Sequence, residues 1–255
     1  MFELGILGYW KYSMDRYQRQ VAFSPIGKSG QEKLKSAKVA IIGMGALGSV
    51  AANNLCRAGV GYIRIIDGDN VELTNLQRQL MFNEKDASQN LPKAIAAANH
   101  LQQINSEIII DPHTDVVTSS NVEKYIQGMD LVLDATDNLE TRLLINEACH
   151  ALNIPWIFSA VLGGEGMTMN FLWNEKSPCL RCFLSSALAA GKSSSTHGVL
   201  NMITSTMASL QTTEALKILL NSSTIRKELL FVNIWENQFN SINIEKNDDC
   251  PICAI

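Results

Sequence analysis

The chain has 255 residues, 46% of them hydrophobic, and a net charge of −4. That is enough apolar material for one large domain, and the mild acidity gives no broad basic footprint for nucleic acid. No run of about 18 apolar residues occurs, and the first residues lack a basic segment leading into an apolar one, so neither a membrane helix nor a signal peptide is expected. The expected compartment is the cytoplasm, where six cysteines favour metal binding or chemistry over disulfides.

Residues 1–15 read as a leader. RYQRQVAF (16–23) follows, then a turn at Ser24-Pro25-Ile26-Gly27 and a short polar helix, GQEKLKSA (30–37). KVAIIG (38–43) is a short apolar run with β-branched residues, which indicates a buried parallel strand. Helix pattern fills 46–58, Gly59 and Gly61 break it, and YIRIID (62–67) is a second strand. Further helices are expected at 93–104, 122–126 and 139–152, alternating with strands at 108–110, at LVLDATDN (131–138) and at IPWIFSAV (154–161). The alternation predicts an α/β, Rossmann-like, doubly wound and mostly parallel sheet. After Val161 the pattern changes: 166–173 and 229–235 read as antiparallel strands, 187–198 as a mobile Ser-rich loop, and 200–220 as a helix.

Gly43, Gly45 and Gly48 form G-x-G-x-x-G between a strand and a helix, with Asp67 nineteen residues after Gly48 at a strand end. Such a corner binds a nucleotide, with helix amides on its phosphates and the acid on its ribose. It serves NAD, FAD or ATP equally, or the glycines serve packing alone. Three downstream features favour phosphate chemistry. Asn75-Leu76-Gln77-Arg78-Gln79 offers an amide and a planar guanidinium, unless it is a solvated helix start. Lys93 follows Pro92 at a helix start, where a cation is unfavourable without an anion beside it. Asp134, Asp137 and Asn138 close the fourth strand, where a carboxylate suits Mg²⁺; a turn or a helix cap is the competing use of these residues.

Cys179, Cys182, Cys250 and Cys253 make two C-x-x-C pairs, the ligand set of a closed, structural zinc site. Cys56 and Cys149 fall in helix patterns and read as small buried hydrophobes. His197 and the other three histidines form no evident metal cluster.

Together RYQRQ, GMGALG, IIDGDNVELTNLQRQ, PK, DATDN, the two C-x-x-C pairs and HGVLNMITSTMASLQTTEALKILL resemble the ThiF/MoeB/HesA-type adenylyltransferases, which activate ubiquitin-like sulfur carriers. The resemblance covers residues 16–253 as one adenylation domain, with a nucleotide part at 38–161 and a carrier-binding and zinc part at 162–253. It implies a homodimer using ATP, Mg²⁺ and structural Zn²⁺ to adenylate a carrier's terminal carboxylate. By position it assigns Asp67 to the ribose, Asn75 and Arg78 to the phosphates, Lys93 to the α-phosphate region and Asp137 to Mg²⁺, with Gln79 and Asn138 in the same pocket. Arg19 would reach into the neighbouring subunit's site.

Three departures stand out. Residues 183–198 contain no cysteine, so no enzyme thioester is expected. Asn201 stands where relatives often have glycine, and Leu91 where glycine or glutamine is common. No rhodanese-like extension follows, so a separate protein is expected to donate sulfur. Adenylation of a short ribosomal peptide is an alternative, although fifteen leader residues are too few for the peptide-gripping domain of such relatives. A nicotinamide or flavin oxidoreductase would use the same glycines but leave NLQRQ and TDN unexplained. A non-catalytic ATP-binding scaffold would leave Arg19, Arg78, Lys93 and Asp137 without a purpose.

Overall fold

The computed structural model describes residues 16–174, 177–188 and 198–254. The leader, His197 and most of the Ser-rich segment lie outside them. Among the described residues, no helix is long and apolar enough to cross a membrane.

Strand β1 (Lys38–Ile42) lies inside an eight-stranded sheet. β2 (Tyr62–Ile66) and β3 (Ile109–His113) add to one side; β4 (Leu131–Asp134) and β5 (Trp156–Leu162) add to the other. All these pairings are parallel. β6 (Glu165–Phe171), β7 (Leu229–Asn233) and β8 (Gln238–Ile242) extend the sheet antiparallel. The order β3-β2-β1-β4-β5-β6-β7-β8 reverses direction between β1 and β4. Successive β1 residues face opposite layers: Val39 and Ile41 join one core cluster, Ala40 and Ile42 the other.

The first layer contains α2 (Gly27–Ser36), α3 (Ala46–Ala58), α5 (Lys93–Ile104) and α9 (Asn201–Leu219). The second contains α6 (Val122–Ile126), α7 (Leu139–Ala151) and α8 (Leu180–Leu188). Two short helices, α1 (Gln18–Val21) and α4 (Glu84–Ser88), lack an apolar stripe and carry no periodic signal.

Several boundaries differ from expectation. The fourth strand stops at Asp134, because Asp134 turns its carboxylate back onto the Thr136 amide, 2.9 Å away. β3 runs on to His113 through Pro112, a residue that an edge strand accommodates. Helix α8 takes in the first residues of the expected Ser-rich loop. β8 was not expected: all five of its residues are exposed, so no apolar alternation marks it. Pro92 occupies the N-cap of α5, one position before the first turn.

Candidate active site on the carboxyl rim of the sheet

β1, β2, β4 and β5 all end on one rim of the sheet, and the reversal of strand order between β1 and β4 opens a crevice there. The three glycines of the corner divide their work. Gly43 has φ +93°, and a Cβ on it would lie 2.6 Å from the Ala135 carbonyl oxygen at the end of β4. A Cβ on Gly48 would lie 1.9 Å from the Gly43 oxygen. These two are packing glycines. Gly45 is the N-cap of α3, and its nearest neighbour there is Gln79 Nε2 at 3.8 Å. That open approach to a helix start is what a phosphate needs.

Asp67, just past β2, accepts hydrogen bonds from Met44 N (2.6 Å) and Asp69 N (2.8 Å). Burial raises its carboxyl above the usual range, and the two amides and nearby Lys93 only partly offset this. The carboxylate is therefore fixed against the glycine loop.

Beyond it, a single 3₁₀ turn spans Leu73–Asn75. Asn75 is buried, not solvated, and its Oδ1 accepts from Glu72 N at 3.1 Å across that turn. Arg78 is half-buried and donates to the Thr74 carbonyl at 3.2 Å. Gln79 is buried, and its Oε1 has no hydrogen-bond partner among the described residues. Such an orphaned acceptor beside Gly45 fits a ligand donor.

Lys93, the first residue of α5, is also buried, and the anion its position calls for comes from the chain itself: Nζ lies 2.8 Å from Asp69 Oδ2. At the end of β4, Asp134 is fully buried and points inward. Burial raises its carboxyl, against the opposing pull of Arg142 and Thr136. Asp137 is exposed at the crevice mouth. Asn138 caps α7 by accepting from Thr141 N at 2.9 Å, the competing use foreseen for it.

Arg19 is the one nucleotide-site candidate that the fold does not bring to this rim. Its helix α1 sits at the far end of α3, where Gln20 donates to the Ala58 carbonyl and Tyr17 packs over Gly59. Thirteen residues of α3 separate that end from Gly45, roughly 20 Å at 1.5 Å per residue. Arg19 is exposed and makes no ion pair with the described residues.

The antiparallel half contributes to the same rim. The β5–β6 turn at Gly163 is held by Gly163 N to Gly198 O and by Leu200 N to Gly163 O, each 2.9 Å; Gly164 O accepts from Ile234 N. Gly163, Gly164, Val199, Leu200 and the 76%-exposed Trp235 line an apolar groove there.

The four cysteines meet at the opposite rim, against Trp173, which donates to the Ile154 carbonyl just before β5. All four are buried, and their sulfurs lie within 4.8 Å of one another. Cys179 Sγ is 4.0 Å from Cys182 Sγ and 3.5 Å from Cys250 Sγ; Cys182 Sγ and Cys253 Sγ are 3.4 Å apart. Tetrahedral zinc with bonds near 2.3 Å spaces its sulfurs by about 3.8 Å, so the cluster is compatible with that ion. Among the described residues no other group of three or more His, Cys, Asp or Glu is arranged to hold a metal. Cys56 and Cys149 are fully buried in the two cores; burial pushes the Cys56 thiol up to about 11 and the Cys149 thiol higher still.

Asp69 and Arg142 are site-adjacent residues that the sequence reading left unassigned. Asp69 had a local signal, two positions after Asp67. Arg142 had none, since its partners become neighbours only through the turn after β4.

A family profile described as the ThiF family matches residues 17–252. The Sulfur carrier protein ThiS adenylyltransferase of Bacillus subtilis (strain 168) is 39% identical over 241 residues, covering 94% of this chain and 71% of that protein. The Sulfur carrier protein adenylyltransferase of Thermus thermophilus is 34% identical over 251 residues, 96% of this chain and 92% of that one. A solved structure of E. coli MccB with ATP superposes with a TM-score of 0.80 at 22% identity, covering 96% of this chain and 76% of that one, which is a likeness of fold. With the nucleotide corner, the sheet order and the cysteine cluster, these matches show that the chain belongs to the ThiF family and is an adenylyltransferase.

Proposed function

We propose that the protein adenylates the C-terminal carboxylate of a small ubiquitin-like sulfur carrier, using ATP. One carboxylate oxygen attacks the α-phosphorus, the bond from that phosphorus to the bridging α–β oxygen breaks, and acyl-AMP and pyrophosphate result. The observation that carries this reading is the shared rim: the Gly45 cradle, Asp67, Lys93 and Asp137 open on the same edge as the apolar groove at Gly163, Gly164 and Trp235. A nucleotide in the first and an extended chain end in the second would meet there. The names of the sulfur-carrier relatives support the same substrate class.

In this reading Asp67 holds the ribose, and Asn75, Arg78 and Gln79 contact the nucleotide. Lys93 neutralises charge near the α-phosphate as the anionic nucleophile approaches. Asp137, with Asn138 beside it, is the ligand for Mg²⁺, which supplies charge neutralisation on the phosphates when bound. Arg19, remote from its own chain's crevice, serves the site of a second subunit in a homodimer, by the logic of an arginine finger. Zn²⁺ held by the four thiolates is structural, because a closed shell leaves no open position.

No covalent enzyme–carrier intermediate forms: Cys56 and Cys149 are buried and the other four cysteines are in the cluster. Sulfur then comes from a separate protein, in the cytoplasm. The deciding experiment is ATP–pyrophosphate exchange against a panel of small carriers and peptides ending in free carboxylates. Carrier-dependent exchange, lost in Asp137→Ala, is expected. Exchange driven only by peptides, or undiminished in Asp137→Ala, would overturn the assignment.

A further inference from the structure

Lys93 has a side chain only 8% exposed, and it stands at the positive end of α5. Burial and the helix dipole both disfavour a cation there. Asp69 offsets them, with Oδ2 at 2.8 Å, but the pair is unequal: the Asp69 side chain is 74% exposed. If the two separate, Asp69 regains water at once while the ammonium does not. An ion pair with one partner so exposed contributes at most about 1 kcal/mol. A nucleotide phosphate carries more charge and more acceptor oxygens, and so makes the stronger partner.

The backbone need not move for such an exchange. Lys93 N donates to Asp69 O at 2.9 Å, Val71 N donates to Leu91 O at 2.8 Å, and Asn70 and Pro92 form a bridge between them. On its other side, Asp69 N donates to Asp67 Oδ1. The strap is pinned at both edges, which leaves rotation of the Asp69 side chain as the one adjustment required.

We infer that Asp69 is an exchangeable counter-ion: it holds Lys93 until a phosphate arrives, then yields the ammonium and turns into solvent. The inference rests on Lys93 being a phosphate ligand, as proposed above. It gives Lys93 one anionic partner at every stage, so the buried cation never stands alone. It also makes Asp69 a competitor tethered beside the site. The competitor weakens binding of ATP and, by the same exchange run backwards, helps to release the adenylate, which keeps the α-phosphate.

Asp69→Asn removes the competing charge at nearly constant shape. Isothermal titration with MgATP and, separately, with AMP is expected to show binding about threefold to tenfold tighter than in the wild type, the effect of roughly 1 kcal/mol. Asp69→Glu keeps the charge and is expected to bind like the wild type. In a Lys93→Gln background, Asp69→Asn is expected to change affinity little, because the competition acts through the ammonium. Thermal melting checks that each variant is folded. Unchanged or weaker binding in Asp69→Asn overturns the inference and points to a metal-ligand or structural role. Equal tightening in Asp69→Glu, or in the Lys93→Gln background, overturns it as well. A wild-type protein that binds neither ATP nor AMP overturns both the inference and the adenylation reading. One that binds them with the expected Asp69 dependence but exchanges with no carrier or peptide overturns the adenylation reading alone.

Discussion

Arg142 reaches back under the turn that follows β4 and donates Nη2 to the Thr136 carbonyl, 2.6 Å away and one residue before Asp137. Its Nε lies 3.4 Å from the fully buried Asp134 carboxylate, and its guanidinium covers the Phe158 ring at 5.3 Å. Thr136 returns both its amide and its hydroxyl to Asp134. The shape of the Asp137 loop is thus set from below by one ion pair. Arg142→Ala should leave a buried carboxylate without its counter-charge and lower unfolding stability by about 3 kcal/mol, measured by urea denaturation. In the fraction that remains folded, the Mg²⁺ concentration for half-maximal exchange should rise, and Arg142→Lys should recover part of the loss.

The glycines of the corner can be separated experimentally. Gly48→Ala drives a methyl into the Gly43 carbonyl and should abolish soluble, folded protein or strongly lower its melting temperature. Gly45→Ala would place its methyl at an ordinary 3.8 Å from Gln79 Nε2, at a φ of −78°, and should melt close to wild type. It should nevertheless bind ATP at least tenfold more weakly, because the methyl occupies the phosphate approach. Equal melting losses in the two variants would contradict this division.

Subunit sharing has its own test. Arg19→Ala and Asp137→Ala should each be inactive in exchange with normal folds, since both side chains are exposed and have no partner among the described residues that a truncation would orphan. Mixed together and allowed to exchange subunits, the two variants should regain activity, approaching one working site in each mixed dimer. No recovery in a mixture shown to contain mixed dimers would remove Arg19 from the partner's site.

The edge of the sheet beyond β2 carries a pH-dependent contribution. Burial pushes the Asp111 carboxyl up, but hydrogen bonds from Tyr62 and Arg64, with the His113 ring 3.1 Å away, outweigh it and bring it down to about 2. A carboxylate whose value falls on folding stabilises the native state above its unfolded value, near 4, and this contribution is lost as pH drops through about 2. Asp111→Asn should therefore cost about 2 kcal/mol at pH 7. The gap from wild type should close as pH falls from 4 toward 2, as read by denaturant titration at each pH.

Chelation tests the cysteine cluster. If zinc joins the four sulfurs, its removal should lower the melting temperature by ten degrees or more, on the order of several kcal/mol for a site coupled to folding. Because the cluster lies on the rim opposite the crevice, exchange activity should fall in step with unfolding and not before it. A metal-free sample with an unchanged melting temperature would remove the metal from the account.

Much of this architecture was legible because its signals are local. The apolar runs of β1 and β4, the periodic stripes of α3 and α5, and the glycine corner each announce themselves within a dozen residues. β8 announces nothing, since it is a strand only because β7 presents an edge to pair with. Helix α8 is partly hidden because its second turn enters a run of small residues that reads as loop. At the site, residue types were readable and partnerships were not. The anion beside Lys93 comes from 24 positions earlier, and only the bridge between Asn70 and Pro92 makes the two neighbours. Arg19 was named from the resemblance alone, and its place could not be read, because the position of α1 at the far end of α3 is a matter of packing.

Cys179 and Cys250 stand 71 positions apart and meet at van der Waals distance. A metal joining them turns everything between, including α9, β7 and β8, into a closed ring. Val199, Leu200 and Trp235 of the apolar groove belong to that ring; the Gly45 cradle, Asp67 and Lys93 do not. Closing a loop of this size removes roughly 4 kcal/mol of unfolded-state freedom in the chain-entropy picture. That gain enters through the ring, and α9 carries it into the core it shares with α3 and α5. A metal at one rim would thus stiffen the groove-lining chain and, through Gln211 on the Asp134 carbonyl, the end of β4 as well, so that removing it loosens both halves together.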